Sequence, residues 1–162
     1  MNGTMALPGP DEITRVQLPN GITVLARSNF NSPSVVISGY LDVGSLFDTD
    51  EKLGLADFTA SALMRGTQKN DFQQIYDALE SVGAGLGISD GTHSTAFSSR
   101  ALAEDLPLLL GLLAEVLRQP VFPPEHVERL RAQLLTGLAI RLQDTSQMAS
   151  LTCDQIVYAR HP

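Results

Sequence analysis

Residues 54–67 read Gly-Leu-Ala-Asp-Phe-Thr-Ala-Ser-Ala-Leu-Met-Arg-Gly-Thr, and the rest of the chain is organised around them. A glycine stands at each end of this run, which predicts a helix that begins at Gly54 and ends at Gly66. Side chains three or four residues apart lie on one face of a helix. We therefore expect Asp57, Ala60 and Ser61 to lie on one face of this helix.

Length and composition indicate a globular chain with one sizeable core. The 162 residues are enough for about one domain, and 43% of them are hydrophobic while 18% are charged. No run of residues is apolar enough for long enough to span a bilayer. The formal net charge of -7, from 11 basic and 18 acidic residues, argues against a nucleic-acid-binding surface.

The amino-terminal residues and the cysteine give two further expectations. Residues 1–10 lack the basic and apolar regions of a secretory signal, so we expect a cytoplasmic location. Residues 1–11 are expected to form a flexible segment. Cys153 is the single cysteine of the chain, which excludes an intramolecular disulfide, and its helical surroundings predict a buried thiol.

Hydrophobic periodicity and turn residues predict the remaining elements. The predicted strands span 12–18, 21–28, 34–43, 86–89 and 92–102. The predicted helices after the first span 71–82, 105–118, about 125–142 and 146–159. This order favours an α+β fold in which helices pack on one face of a largely antiparallel sheet.

Residues 54–67 resemble the first helix of the M16 metallopeptidases, the family of pitrilysin, insulinase and mitochondrial processing peptidase. In that family a GLAHFLEHMLFKGT-like segment carries the inverted zinc motif H-x-x-E-H. The resemblance continues through residues 79–88 (LESVGAGLGI), 105–107 and 120–122, and covers most of the chain from Ile13 onwards. It implies that residues 12–162 form most of an amino-terminal M16-like domain, without its end and without the second domain.

The same resemblance implies that the metal chemistry is missing. Two histidines of the family motif bind zinc and its glutamate activates water, whereas the matching positions here hold Asp57, Ala60 and Ser61. Alignment of residues 127–137 with the family helix that carries the third ligand, a glutamate, places Gly137 at that position. The resemblance therefore implies no metal, no cofactor and no catalytic residue in this chain.

The substrate-binding strand of the family also differs in this sequence. Gly87 replaces an asparagine that, in the family, helps to hold the substrate backbone along the sheet edge. Leu130 likewise replaces an acidic residue in the helix that would carry the third ligand. The change at Gly87 argues against peptide capture by this half of the site.

The resemblance implies an interaction protein, with two alternatives left open. The favoured function is an inactive subunit that pairs with a zinc-bearing M16 partner, as a hetero-oligomer, to form a peptide-processing chamber. One alternative is a core-type structural subunit of a respiratory complex, and the other is a residual zinc endopeptidase with an unconventional site near Asp57. An open sheet edge would also let copies of the isolated chain self-associate.

Simpler interpretations apply to several of these residues. Asp57 is typical of a first-turn acid that stabilises a helix amino terminus. A hydrolase built from Ser61, His93 and Asp57 lacks a G-x-S-x-G elbow. The three histidines have no metal-ligand spacing and are predicted to be exposed; they are His93, His126 and His161. Three glycines are predicted to be turn residues rather than a nucleotide loop, namely Gly83, Gly85 and Gly87.

Overall fold

The computed structural model describes residues 9–159. Its strands are β1 (Thr14–Gln17), β2 (Thr23–Ala26), β3 (Ser34–Leu41), β4 (Gly85–Ser89) and β5 (Thr95–Leu102). Its α-helices are α1 (Leu55–Leu63), α2 (Phe72–Ser81), α3 (Leu106–Arg118), α4 (Pro124–Gln143) and α5 (Thr145–Val157). This mixture of helices and antiparallel sheet confirms the predicted α+β class. His161 and most of the segment predicted to be flexible lie outside the described residues.

The chain divides into two compact units, of which the first ends at Ser34. This unit is the predicted hairpin, in which β1 and β2 run antiparallel with Val16 opposite Val24. The turn is longer than predicted, since β1 ends at Gln17 and β2 begins at Thr23. Within it the Asn20 side chain accepts a hydrogen bond from the Ile22 amide at 3.2 Å. Gly21 takes a φ of 89°, which only glycine adopts without strain.

The second unit begins at Val35 and is built on a three-stranded sheet in the order β3-β5-β4. β4 and β5 run antiparallel, with Ile88 opposite Phe97. Thr95 donates its hydroxyl to the Val43 carbonyl at 2.9 Å, and Ser99 donates to the Ile37 carbonyl at 3.3 Å. Moving along β5 from Thr95 to Ser99, the partner residue moves back from Val43 to Ile37, so β3 and β5 are antiparallel as well.

One face of this sheet carries the core. Val35 and Ile37 of β3 point into it, whereas Val36 on the opposite face is 65% exposed, as the alternation of the strand predicts. Helices α2 and α3 cover the inner face with side chains that are almost completely buried, namely Ile75, Leu109 and Val116. Burying each such side chain stabilises the fold by roughly 1.5–3 kcal/mol.

The carboxyl-terminal helices pack less closely than the sequence predicts. In α4 only Leu130 is buried, while Leu138 is 53% exposed. No residue of α5, which contacts α4, is buried. The prediction of a buried Cys153 thiol is therefore wrong, because the thiol lies on an exposed helix. None of the helices within residues 9–159 is both long and apolar enough to cross a membrane.

Candidate functional site

Helix α1 is held at its amino terminus by a residue of the preceding loop. The Asp48 carboxylate accepts hydrogen bonds from the backbone amides of Gly54 at 2.9 Å and Ala56 at 3.1 Å. The first amides of a helix have no hydrogen-bond partner within the helix, and they form the positive end of its dipole. A carboxylate at this place accepts their hydrogen bonds and is attracted by the positive charge. Gly54 enters the helix with a φ of 88°. Asp48 therefore fixes where α1 begins.

The carboxyl end of α1 is held by the segment between α3 and α4. The Val121 amide donates to the Gly66 carbonyl at 3.1 Å, and the Gln68 amide donates to the Gln119 carbonyl at 3.0 Å. Gly66 has a φ of 147°, which a side chain would strain. Both ends of α1 are thus fixed by residues outside the helix.

A half-buried carboxylate strengthens this second anchor. Glu115 of α3 accepts hydrogen bonds from the Asn70 amide group at 2.8 Å, the Lys69 ammonium at 3.2 Å and the Thr67 hydroxyl at 3.3 Å. Burial raises the pKa of the Glu115 carboxyl, but these hydrogen bonds and the Lys69 charge outweigh burial, so the pKa lies below its usual value. The charged carboxylate therefore ties the loop between α1 and α2 to α3.

The three motif positions on α1 differ in exposure, and their side chains make no hydrogen bonds within residues 9–159. Asp57 is exposed, Ser61 is half-buried and Ala60 is 3% exposed. Within residues 9–159, no side-chain hydrogen bond involves Asp57 or Ser61, and His93 lies exposed in the loop between β4 and β5. A Ser-His-Asp relay is therefore not formed by these side chains.

The fourth position lies on α4, a helix that contacts α1. Gly137 is partly buried, and a Cβ atom added there would meet no atom within 4 Å. Leu130 is 6% exposed and packs as a core residue. Space for a side chain is thus present at position 137, although no group there can bind a cation. The assignment of these positions to a lost metal site stays a prediction.

β4 is an edge strand among the described residues, since the sheet order pairs it with β5 on one side only. Its Gly87 is exposed, and a Cβ atom there would meet nothing within 4 Å. The prediction that three nearby glycines are turn residues is right for Gly83, which has a φ of 61°, and wrong for Gly85 and Gly87, which lie in β4.

The chain matches the sequence profile of the insulinase family, peptidase family M16, over residues 23–159. It belongs to the M16 family. The probable beta subunit of mitochondrial-processing peptidase from Arabidopsis thaliana is 28% identical over 123 residues, which are 75% of this chain and 23% of that protein. Subunit 1 of the cytochrome b-c1 complex from Bos taurus is 26% identical over 133 residues, 82% of this chain and 28% of that protein.

A solved structure agrees with the family assignment. The crystal structure of a peptidase M16 inactive domain from Pseudomonas fluorescens aligns with a TM-score of 0.82 and 26% identity, over 88% of this chain and 35% of that one. The chain thus spans 23% and 28% of the two curated relatives. The M16 fold is therefore shown for this part of the protein.

The M16 family implies a zinc ion, and the residues present do not fit one. Zinc in proteins is bound by Cys, His, Asp or Glu side chains, and of the four motif positions only Asp57 holds such a residue. Within residues 9–159, no group of three or more Cys, His, Asp or Glu side chains could hold a metal ion. Ala60 also has no group that could take a proton from water.

His126 of this M16 domain was expected to be exposed, and that expectation is wrong. Its side chain is 16% exposed, and its ring centroid lies 5.3 Å from that of Phe72 on α2. The Arg65 guanidinium lies 5.1 Å from the centre of the Phe72 ring. His126 Nδ1 is buried without a hydrogen-bond partner in the described part of the chain. The ring therefore packs α4 onto α2.

Proposed function

We propose that this chain is a non-catalytic M16 subunit or domain that pairs with a zinc-bearing M16 partner and helps to enclose a peptide-processing chamber. One observation carries the proposal. Helix α1 is anchored at both ends, through Asp48 and Glu115, while the four motif positions hold one potential zinc ligand. A helix that is fixed at both ends but lacks catalytic groups supports a role in forming the chamber wall and in assembly with the partner.

The subunit names of two relatives support pairing within an assembly, and the inactive-domain structure supports the non-catalytic part of the proposal, without fixing the partner. The Arabidopsis relative is a beta subunit, and the Pseudomonas structure is an inactive domain of the same family. In the proposed assembly, the unpaired edge of β4 offers backbone donors and acceptors to an extended peptide. Because Gly87 adds no side chain, this chain would contact the peptide mainly through its backbone.

The test is reconstitution with a zinc-bearing M16 protein from the same source. Cleavage of a fluorogenic peptide is measured for this chain in its natural polypeptide, for the zinc protein, and for the two together. We expect no cleavage by the first, and faster cleavage by the pair than by the zinc protein alone. Equal rates for the pair and the zinc protein would count against the proposal.

An Asp57→Ala variant separates this function from a residual zinc peptidase. The variant should leave cleavage by the pair unchanged, because Asp57 makes no side-chain hydrogen bond within residues 9–159. Zinc content measured by mass spectrometry should be substoichiometric in both forms of the isolated chain. Stoichiometric zinc in the parent chain that disappears from the variant would instead support the residual peptidase.

A second candidate function is a core-type structural subunit of a respiratory complex. The similarity to subunit 1 of the bovine cytochrome b-c1 complex favours it. Purification of the tagged chain from its own source would distinguish the two, since haem absorbance in the purified sample indicates a respiratory complex. The cytoplasmic location expected from residues 1–10 stays a prediction.

A further inference from the structure

A patch of exposed apolar side chains lies beside the start of α1. We call it the apolar patch and define it by four residues and their exposed fractions, namely Leu46 (54%), Phe47 (65%), Leu53 (76%) and Leu55 (49%). A shallow pocket of about 250 Å³ adjoins the patch and is lined by residues 52–55 and Phe58. Exposed apolar side chains that adjoin one another often mark interaction sites on soluble proteins.

Several hydrogen bonds hold the apolar patch in shape. The Leu46 amide donates to the Thr92 carbonyl at 2.9 Å, and the 45–47 turn also contacts α1. Gly44 packs so closely on the next loop that an added Cβ would lie 2.3 Å from the Gly91 carbonyl oxygen. The Asp48 carboxylate accepts hydrogen bonds from the amides of Gly54 and Ala56, which directly follow Leu53 and Leu55 in the chain. A patch held in this way loses little conformational entropy when a partner binds.

The charge around the apolar patch selects the partner. Residues 42–57 contain five acidic side chains and one basic side chain, Lys52, and the acids are Asp42, Asp48, Asp50, Glu51 and Asp57. The helix amides that could attract an anion are already bound by Asp48. Anionic ligands and anionic membranes are therefore disfavoured, and a partner with positive charge is favoured.

We propose that the apolar patch docks a segment of a partner protein in which apolar side chains are flanked by Lys or Arg. One apolar side chain of the segment enters the pocket beside Leu53, and its basic side chains lie near Asp50 and Glu51. This inference does not depend on the lost metal chemistry, because the four residues of the apolar patch and the acids Asp50 and Glu51 precede the motif positions on α1.

The test is selection of random dodecapeptides displayed on phage against the 162-residue chain. Counter-selection uses a Phe47→Gln, Leu53→Gln double variant, and circular dichroism checks that the variant folds, as expected for exposed positions. We expect the retained peptides to carry leucine or phenylalanine together with Lys or Arg. The best peptide should bind the double variant about tenfold more weakly, measured by fluorescence anisotropy, and bind an Asp50→Asn, Glu51→Gln variant more weakly too.

A control is Leu138→Gln, a change at a leucine on α4 that is 53% exposed, which should leave peptide binding unchanged. The proposal is overturned if no peptide distinguishes the parent chain from the double variant. It is also overturned if the retained peptides are neutral or acidic. Binding to phosphatidylglycerol vesicles that is lost in the double variant would assign the patch to a membrane and overturn it as well.

Discussion

Replacing Glu115 by alanine removes the carboxylate that ties the loop between α1 and α2 to α3. The hydrogen bond from Asn70 is short and partly buried, and a bond to a charged group contributes about 1.5–3 kcal/mol. The Thr67 hydroxyl has one proton, which can be donated either to Glu115 or to the Asn70 carbonyl, so its bond to Glu115 adds little to the stability of the anchor. The Lys69 side chain is 67% exposed, which limits that ion pair to about 1 kcal/mol or less.

These contributions rank three variants by the free energy of unfolding in urea at neutral pH. Glu115→Ala should lose about 2–3 kcal/mol, because it also leaves the Asn70 amide group without its acceptor. Glu115→Gln keeps an acceptor and should lose about half as much. Lys69→Ala should lose less than about 1 kcal/mol. A loss for Lys69→Ala as large as that for Glu115→Ala would refute this account of the anchor.

The pH dependence gives a second measurement on the same residue. Because the pKa of Glu115 is lower in the folded chain than its usual value of 4.5, the charged carboxylate stabilises the fold above that pH. This stability is lost as the pH falls through the folded pKa. The stability difference between the parent chain and Glu115→Gln should therefore shrink in acid. A difference that stays constant or grows as the pH falls would contradict the geometry.

Three further substitutions test other contacts. Asp48→Ala should destabilise α1 by about 1 kcal/mol, seen as faster hydrogen exchange of the Gly54 and Ala56 amides, whereas unchanged exchange would show that the carboxylate is not a cap. Gly39→Ala should cost about 1–3 kcal/mol in urea unfolding, because its Cβ would lie 2.3 Å from the Phe97 ring, and a neutral effect would contradict that contact. Gly137→Ala should raise the free energy of unfolding by up to about 1 kcal/mol, because alanine favours a helix and its Cβ would meet no atom within 4 Å. The control Gly111→Ala in α3 has equally free space and should have the same effect. Destabilisation at Gly137 alone would indicate a packing role for that glycine.

Local signals predicted much of the fold. Asp71 is the first residue of the predicted helix 71–82, and its side chain accepts from the Gln74 amide while the Gln74 side chain accepts from the Asp71 amide. Both partners lie within one helical turn, so the sequence alone contains the whole interaction. An Asn-Gly step favours a tight hairpin turn, and Asn20-Gly21 stands where the predicted strands 12–18 and 21–28 meet.

The anchors of α1 could not be predicted in this way. Asp48 lies eight residues before the Ala56 amide that it binds, and Glu115 lies 45 residues after Asn70, so no spacing rule relates these pairs. Cys153 and His126 were misjudged because burial depends on which helix packs against which. The apolar stripe of α4 continues past Leu130, but most of it finds no cover within residues 9–159.

The cap that Asp48 provides also constrains the order in which the chain folds. A helix of nine residues, the length of α1, is too short to persist alone in water. Its first turn becomes stable only when the preceding loop has closed and delivered the carboxylate. Loop and helix should therefore open and close together, as one cooperative unit in native-state exchange, with a single opening free energy for residues on both sides of Gly54.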